Sequence, residues 1–390
     1  MLMLLSNAEV YAPEPRDVHH VLIGGGKILW LGRERPAFPA GLGVIERDLG
    51  GRRLLPGFVD GHVHLTGGGG ESGPESRVPP VPLTRFTTAG VTTVVGVLGT
   101  DDVTRTTSDL VAAARGLTAE GITAYCHTGG YHVPPVTLTG SVRGDIVHID
   151  RILGVGEVAL SDHRSSQPSL DELLRLASEA HVAGLMTGKG GIAHLHLGDG
   201  PRGLDLVRQA LEASEIPPRV FNPTHVNRRK GLFEEAMALA DRGVTIDVTA
   251  FPVSPGEDAW AAEDALVRYL DAGLPANRIT ISSDGGGCLP VFDADGRVTE
   301  MEIGSPGALA GTLRALLERG ELLERVLPAF TSNPADLLRL PDKGRIEVGA
   351  DADLVVLNPS GGITDVMAMG RWHLMESRPT VRGLFEERQA

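Results

Sequence analysis

The strongest constraint on the fold is a regular alternation of short apolar runs and helical patterns that begins at residue 58. Eight runs have the length of buried strands, and segments with a period of 3.6 residues separate several of them. The predicted strands are 58–65, 91–98, 122–129, 157–161, 192–198, 220–226, 245–250 and 278–285. Eight strands with helical crossovers predict an α/β protein with a closed (β/α)8 barrel like that of triosephosphate isomerase, a TIM-like barrel.

The competing fold is an open, doubly wound sheet. That fold would need a G-x-G-x-x-G turn after its first strand. The four glycines at 67–70 do not match this pattern, and no Lys-Ser/Thr follows them to form a phosphate loop. One crossover helix also has a clear start signal, because Ser169 is followed three residues later by Glu172. The barrel is therefore favoured.

The two chain ends differ from the middle. Residues 1–55 and 340–390 contain β-like patterns, and neither end is long enough to bury a sizeable core alone. We expect the two ends to pair into one small β-sandwich domain beside a barrel domain of residues 56–339.

Charge and cysteine usage narrow the possible partners and compartment. The formal net charge is −14, from 36 Lys plus Arg against 50 Asp plus Glu, and no basic cluster interrupts the acidic balance. Nucleic acid and anionic membrane are therefore not predicted as partners. The start of the sequence lacks a signal-peptide pattern, and Cys126 and Cys288 do not suggest a disulfide framework. A cytoplasmic location is expected.

Residues with nitrogen or oxygen ligand atoms recur at or near the predicted strands. They are His62, His64, Glu157, His196, His225 and Asp284. Taken singly, each has an ordinary explanation, such as a structural histidine or an Asp-Gly turn. Alternate residues on one strand share a face, and the C-terminal strand ends of a barrel meet at one rim. Together, the six residues predict a metal centre.

Glu157 poses a particular problem, because the pattern predicts that it opens the buried fourth strand. Burying an unpaired carboxylate costs several kcal/mol or forces the group to take up a proton. A structural or a catalytic cation must therefore compensate it.

Several motifs carry a family resemblance that runs along nearly the whole chain. They are "LLPGFVDGHVHLTGGGGESGP", "TGGYHVP", "SDHRS", "THVNR", "SSDG" and the closing "GADADLVVL". The sequence resembles the amidohydrolase superfamily and, within it, the isoaspartyl (β-aspartyl) dipeptidases. The resemblance implies two divalent cations per chain, expected to be zinc. His62, His64 and Asp284 would hold the more buried cation, and His196 and His225 the more exposed one.

The sequence departs from this family pattern at two positions. The usual bridge between the cations is a lysine carboxylated on its side-chain nitrogen, and Glu157 occupies that position here. Both groups are planar anions, but glutamate is shorter, so we expect Gly156 to permit a bulge or a closer approach. In the alternative, Glu157 turns to the surface and the centre is mononuclear or inactive. Cys288 stands where the family has a serine near the substrate.

The resemblance also implies a reaction. Water activated between the two cations would attack an amide carbonyl as hydroxide. Asp284 would accept its proton and pass it to the leaving amine, and Tyr131 would donate a hydrogen bond to the developing oxyanion.

The expected substrate is a β-aspartyl dipeptide, a small molecule with one ammonium group and two carboxylates. Glu71 would pair with the ammonium, and Arg164 and Arg228 would each bind a carboxylate. Thr100 and Cys288 would add polar contacts. The glycines at 67–70 would let main chain approach the ligand. A homo-oligomer is expected, as is common in the superfamily.

Two other functions remain open at this point. The first is a cyclic amide hydrolase similar to dihydroorotases or hydantoinases, whose sites need no acidic partner for an ammonium. The second is a non-catalytic scaffold with the same fold. The nearby His132, His163 and His194 are expected to have supporting or structural roles.

Overall fold

The computed structural model describes residues 2–292 and 298–387. Within them, strands β1 to β19 are, in chain order, Leu2–Tyr11, Pro15–Gly24, Lys27–Gly32, Val44–Asp48, Arg53–Pro56, Phe58–Val63, Val91–Gly96, Thr123–Thr128, Ile152–Leu160, Ala193–Leu197, Phe221–Thr224, Ile246–Thr249, Ile279–Ser282, Cys288–Phe292, Val298–Ile303, Leu354–Leu357, Ile363–Ala368, Arg371–Met375 and Arg378–Pro379. Helices α1 to α10 are Leu83–Thr87, Thr107–Glu120, Val142–His148, Leu170–Thr187, Asp205–Ala213, Lys230–Asp241, Ala262–Asp271, Gly307–Glu318, Leu323–Val326 and Ser332–Leu337.

The two chain ends contribute to one nine-stranded sheet. Its order is β19-β18-β17-β16-β5-β1-β2-β3, and β4 pairs with β1. The ends join where β16 runs antiparallel to β5, with Val355 opposite Leu55. Leu5, Leu54 and Leu354 lie in a buried core on this sheet. The two ends therefore pair as the sequence predicts, whereas the sandwich and the domain boundaries stay predictions.

The middle of the chain forms an α/β layer around parallel strands. Strands β6 to β11 make a six-stranded parallel sheet in chain order, and β12 and β13 form a second parallel pair. A large apolar core lies between these strands and the helices. The end of β6 lies beside the segment after β13, because Val63 and Gly285 form a parallel bridge. The residues that follow the first and the eighth predicted strands therefore lie next to each other.

The predicted strands are all present, but the fourth begins earlier than expected. Strand β9 starts at Ile152, so Glu157 lies inside the strand rather than at its start. The sequence pattern misses this start because Gly154 and Gly156 interrupt the apolar run. The predicted capping box is confirmed, since Ser169 and Glu172 exchange backbone and side-chain hydrogen bonds at the start of α4.

A β-bulge lies where β9 faces β10. The pairs that flank it are three residues apart on β9 and two apart on β10, so Gly156 and Glu157 together face His194. Gly156 has a φ of 147°, and a Cβ there would lie 2.5 Å from the carbonyl oxygen of His194. Only glycine permits so close an approach in this conformation. The bulge expected beside Glu157 is therefore confirmed.

The sequence pattern did not predict the antiparallel hairpin of β14 and β15, which follows the eighth strand. Its base reaches the loop of four glycines, because the backbone N–H of Gly68 donates to the carbonyl of Gly286 at 2.8 Å. Cys288 begins the hairpin, and both cysteines are free. In the part of the chain described, the helices are too short or too polar to cross a bilayer.

We expect Gly156→Ala to lower the free energy of unfolding by about 1–3 kcal/mol, because the added methyl group would overlap the His194 carbonyl. Urea unfolding measures the change. Gly116→Ala is the control, since it lies on the exposed side of α2 with nothing within 4 Å of an added Cβ. The control should be neutral or stabilising by up to about 1 kcal/mol. Equal unfolding free energies for the two variants would contradict the role of the bulge.

Candidate metal centre and substrate cavity

The first part of the centre comes from β6 and from the turn after β13. His62 lies in β6, and His64 follows the strand directly. The Nε2 atoms of His62 and His64 lie 3.4 and 3.1 Å from Oδ1 of Asp284. Ligand atoms of all three residues fall within 4.8 Å of one another. We call this set the inner half-site.

The second part comes from the next strands along the sheet. His196 lies in β10, and His225 follows β11. Both imidazoles are buried, and their ring centroids are 4.8 Å apart. We call this pair the outer half-site.

Glu157 lies between the two half-sites with one carboxylate oxygen toward each. Oε1 is 3.6 Å from Nε2 of His62 and 3.4 Å from Nε2 of His64. Oε2 is 2.9 Å from Nδ1 of His196 and 3.4 Å from Nε2 of His225. Glu157 is only 1% exposed, which excludes the alternative in which it turns to the surface.

Two of the candidate ligands adopt a backbone conformation that is uncommon outside glycine. Asp284 has a φ of 50°, and His225 has a φ of 60°. Such left-handed residues carry strain and cluster at functional sites. His225 directly follows β11, Asp284 lies two residues after β13, and both line the same cavity.

The charges in the centre favour a cation. Burial raises the pKa of Glu157, but the nearby His62 and His196 outweigh it and hold that pKa well below its usual range. Burial raises the pKa of Asp284, but the neighbouring His62 and His64 imidazoles outweigh it and lower that pKa. Burial opposes protonation of His64, yet the nearby carboxylates of Asp284 and Glu157 raise its pKa to about 10. The two carboxylates therefore stay anionic and draw positive charge into a buried space.

The residues present fit a divalent cation. Nε2 of His62 and Oδ1 of Asp284 are buried and have no hydrogen-bond partner among the described residues. Leaving such an atom unsatisfied costs about 1–3 kcal/mol. Imidazole nitrogens and carboxylate oxygens are common ligands of zinc and of similar first-row metals.

Further side chains orient the two imidazoles of the outer half-site. Oδ2 of Asp162 lies 3.1 Å from Nε2 of His196, and Oγ1 of Thr249 lies 2.7 Å from Nδ1 of His225. Such partners orient metal-ligating imidazoles. Sequence reasoning gave Asp162 no role, although it lies in the quoted motif "SDHRS".

A cavity of about 470 Å³ opens onto the centre. It brings together all five residues that the sequence suggested for substrate binding and the suggested oxyanion donor: Glu71, Thr100, Arg164, Arg228, Cys288 and Tyr131. The wall also contains residues that no motif indicated: Asp199, Phe251, Pro252, Ser254, Glu257, Leu289 and Glu302.

Arg164 connects the cavity wall to the outer half-site. Its Nε and Nη2 donate to the two oxygens of Asp162 at 3.0 and 2.8 Å, and Nη1 donates to Oε1 of Glu71 at 3.2 Å. The other Glu71 oxygen is buried and has no partner among the described residues. Arg228 is more loosely held, with Nη1 3.9 Å from Oδ1 of Asp199.

Tyr131 and Cys288 are both protonated donors in the cavity. The Tyr131 hydroxyl lies 2.9 Å from Nδ1 of His196, and burial together with Glu157 raises its pKa well above the usual value. Burial, with Glu71 and Asp284 nearby, raises the pKa of Cys288 to about 12. A phenol or thiol with a raised pKa keeps its proton at neutral pH.

The loop of four glycines packs closely against the backbone of the segment that follows it. A Cβ on Gly67 would lie 1.9 Å from the Val78 carbonyl oxygen, and one on Gly69 would lie 2.3 Å from that of Ser76. Both glycines have positive φ. Of these glycines, the cavity wall includes Gly69. The expectation that the glycines serve approach to a ligand thus stays a prediction, and close packing of the loop explains them directly.

Comparison with known proteins identifies the family. The sequence model that describes the amidohydrolase family matches residues 53–373 of this chain. The chain belongs to the amidohydrolase family. The predicted superfamily is therefore confirmed.

Solved structures and curated proteins resemble this amidohydrolase to different degrees. The β-aspartyl dipeptidase from Fervidobacterium islandicum AW-1, in complex with the β-Asp-Leu dipeptide, is 41% identical. The match covers 97% of this chain and 98% of that one, with a TM-score of 0.90. This likeness supports the narrower resemblance to isoaspartyl dipeptidases.

More distant curated relatives have other names. A deacetylase from Agrobacterium fabrum is 27% identical over 372 residues, covering 87% of this amidohydrolase and 78% of the relative. A dihydroorotase from Halobacterium salinarum is 26% identical over 345 residues, covering 79% and 77%. Their differing names show that relatedness at this distance does not identify a substrate.

We expect cation binding to release protons and to tighten as the pH rises toward about 10, the raised pKa of His64. Below that pH, Nε2 of His64 carries a proton in the cation-free protein, and this proton must leave before the nitrogen can bind a cation. Calorimetric titration of Zn²⁺ at pH 7, in two buffers of different ionisation enthalpy, counts the protons released. An affinity that stays constant between about pH 6 and 9 would show that the inner half-site does not bind the cation.

We expect Glu157→Gln to lower the number of tightly bound divalent cations from the predicted two per chain to one or none. The amide keeps the volume but has only one acceptor oxygen, so it cannot face both half-sites. Metal analysis after dialysis measures the content. Glu234→Gln, which alters an exposed carboxylate paired with Arg268, is the control. Two cations retained in the Glu157 variant would argue against a bridging role.

Proposed function

We propose that this amidohydrolase is a binuclear-metal dipeptidase that hydrolyses the amide bond of β-aspartyl dipeptides. The observation that carries the proposal is the position of Glu157 between two sets of ligands, in a cavity that also holds Glu71, Arg164 and Arg228. The 41% identical structure with a bound β-Asp-Leu dipeptide supports the same substrate class.

The proposed cofactor is a pair of divalent cations, with zinc as the expected metal. His62, His64 and Asp284 would hold one cation, His196 and His225 the other, and Glu157 both. When bound, such cations supply a nucleophilic water at neutral pH and polarise the amide carbonyl.

The reacting groups of the chain have complementary proton roles. Asp284 is anionic, so its carboxylate can accept a proton from the attacking water and deliver it to the leaving amine. Tyr131 keeps its proton and can donate a hydrogen bond to the carbonyl oxygen as negative charge develops there. Neither role needs a residue outside the cavity.

Substrate recognition follows from the charges in the wall. The buried, unpaired oxygen of Glu71 is an acceptor for the substrate ammonium. Arg164 and Arg228 offer guanidinium groups to the two carboxylates. Thr100 and Cys288 add polar contacts. A volume of about 470 Å³ accommodates a dipeptide.

A cyclic amide hydrolase is the second candidate, and the similarity to a dihydroorotase favours it. Such a substrate has no ammonium and leaves the Glu71 carboxylate without a partner. A non-catalytic scaffold is the less supported alternative, because the full ligand set surrounds Glu157.

The finer architecture is also part of the proposal. We infer that the eight strands close a (β/α)8 barrel over residues 56–339, which the bridge between Val63 and Gly285 supports. Residues 1–55 and 340–390 would form a β-sandwich domain beside it. The oligomeric state and the cytoplasmic location remain the expectations drawn from the sequence.

The decisive test compares β-Asp-Leu, α-Asp-Leu and dihydroorotate as substrates of the metal-replete protein. We expect hydrolysis of β-Asp-Leu to be fastest. No hydrolysis of any β-aspartyl dipeptide would overturn the proposed substrate, and faster hydrolysis of the cyclic amide would favour the second candidate.

For the variant Glu71→Gln, we expect kcat/KM on β-Asp-Leu to fall about 10- to 100-fold, because a hydrogen bond to a charged group is worth about 1.5–3 kcal/mol. Glu75→Gln, in the same loop but exposed, is the control. N-acetyl-β-Asp-Leu lacks the ammonium, so it should be a poor substrate that barely distinguishes wild type from Glu71→Gln. An unchanged kcat/KM on β-Asp-Leu would remove Glu71 from the recognition scheme.

A further inference from the structure

His62 has two ring nitrogens, and they face different surroundings. Nε2 faces the oxygens of the inner half-site and has no hydrogen-bond partner among the described residues. Nδ1 lies 2.7 Å from Nε2 of His194. Two imidazole nitrogens at this distance share one proton, so one ring must donate and the other must accept.

Asn222 determines which ring donates. Its Nδ2 lies 2.7 Å from the carbonyl oxygen of Thr245, an atom that can only accept. The amide nitrogen must therefore point to Thr245, which directs Oδ1 toward Nδ1 of His194 at 2.7 Å. Oδ1 can only accept as well, so Nδ1 of His194 carries the proton.

His194 is a neutral ring in this arrangement. Its two hydrogen-bond partners are an amide oxygen and another imidazole, and neither is an anion. A charged ring that is only 2% exposed would lack a hydrogen-bonded counterion, which is costly. Nε2 of His194 is therefore the acceptor, and Nδ1 of His62 is the donor. Nε2 of His62 keeps its lone pair.

The backbone fixes these side chains relative to one another. His194 on β10 and Asn222 on β11 are direct partners in the parallel register. On the other side of β10, the bulge at Gly156 packs against the backbone of His194. Asn222 is only 2% exposed, and His62 is fully buried, so water does not compete for their hydrogen bonds.

We propose that His194 and Asn222 are positioning residues for the inner half-site. The chain of hydrogen bonds from the Thr245 carbonyl through Asn222 and His194 holds His62 in the tautomer whose Nε2 lone pair faces the cation. The inference rests on the proposed function only in requiring that a cation binds at the inner half-site.

The two half-sites then differ in what supports their ligands. His62 is supported by a neutral imidazole, whereas Nε2 of His196 meets the carboxylate of Asp162. An anionic partner raises the basicity of a ligating imidazole more than a neutral one does. The ligating nitrogens of the two half-sites would therefore differ in basicity.

The tautomer can be observed directly in the cation-free wild-type protein. In ¹⁵N-histidine spectra, with resonances assigned from His62→Gln and His194→Gln samples, we expect Nδ1 of both rings to carry a proton and Nε2 of His194 to carry none. A proton on Nε2 of His62 in the neutral ring would overturn the inference. This measurement needs no enzymatic activity, and the substituted samples serve only for assignment.

Two variants at one position test the effect on binding. Asn222→Leu removes the acceptor and should weaken Zn²⁺ binding at one site about 10- to 100-fold, measured by chelator competition. Asn222→Asp keeps an acceptor oxygen, and its protonated second oxygen can still donate to Thr245, so binding should stay within about threefold of wild type. Equal affinities in the two variants would overturn the inference.

Thr280→Val is the matched control. It removes a buried hydrogen bond to Asp247 in the same interior without touching an imidazole, so Zn²⁺ affinity should not change. An error in the proposed chain of hydrogen bonds can be distinguished from an error in the proposed function. If β-Asp-Leu is hydrolysed but His62 has the other tautomer, only the proposed chain of hydrogen bonds is wrong. If His62 has the expected tautomer but β-Asp-Leu is not hydrolysed, only the substrate assignment is wrong.

Discussion

A buried carboxylate that must find positive charge organises the centre of this amidohydrolase. Glu157 is almost fully buried inside β9, and a bulge that only glycine permits turns it toward four imidazoles. The cost of burying such an anion is larger than any single hydrogen bond repays. The surrounding histidines, together with the cations that they are suited to hold, compensate the buried negative charge of Glu157.

Buried polar side chains lie among the parallel strands next to the candidate metal centre, whereas branched apolar side chains fill the interior of many parallel barrels. The Asp60 carboxylate accepts hydrogen bonds from the backbone N–H and the hydroxyl of Ser283, and burial raises its pKa to about 7. Asp247 accepts hydrogen bonds from Thr280 and Ser282. Neighbouring strands thus provide hydrogen-bond partners for these two buried carboxylates.

The sequence was informative where chemistry follows a local period. The sequence alone indicates the strands with apolar runs, the helix cap at Ser169 and the candidate ligands on or near the strands. The start of β9 was not, because glycines that allow close strand approach look like turn residues in a sequence. The hairpin of β14 and β15 was missed because no alternating pattern marks it.

The supporting residues were hidden for a different reason. Asn222 and His194 are partners only through the register of β10 and β11, and His194 meets His62 across 132 residues of chain. Asp162 acts on His196 across 34 residues. Sequence spacing carries no information about such pairings, whereas the candidate ligands all lie on or beside predicted strands.

The hydrogen bond between Arg164 and Glu71 has a consequence for selectivity. In the cavity without a substrate, Arg164 pairs with one oxygen of Glu71, so under the proposed function the substrate carboxylate would compete with Glu71 for the guanidinium. The proposed zwitterionic substrate would compensate both groups at once, with its carboxylate on Arg164 and its ammonium on Glu71. A ligand with a single charge would leave one of these two largely buried groups without a counterion, so the proposed pair would favour ligands that carry both charges.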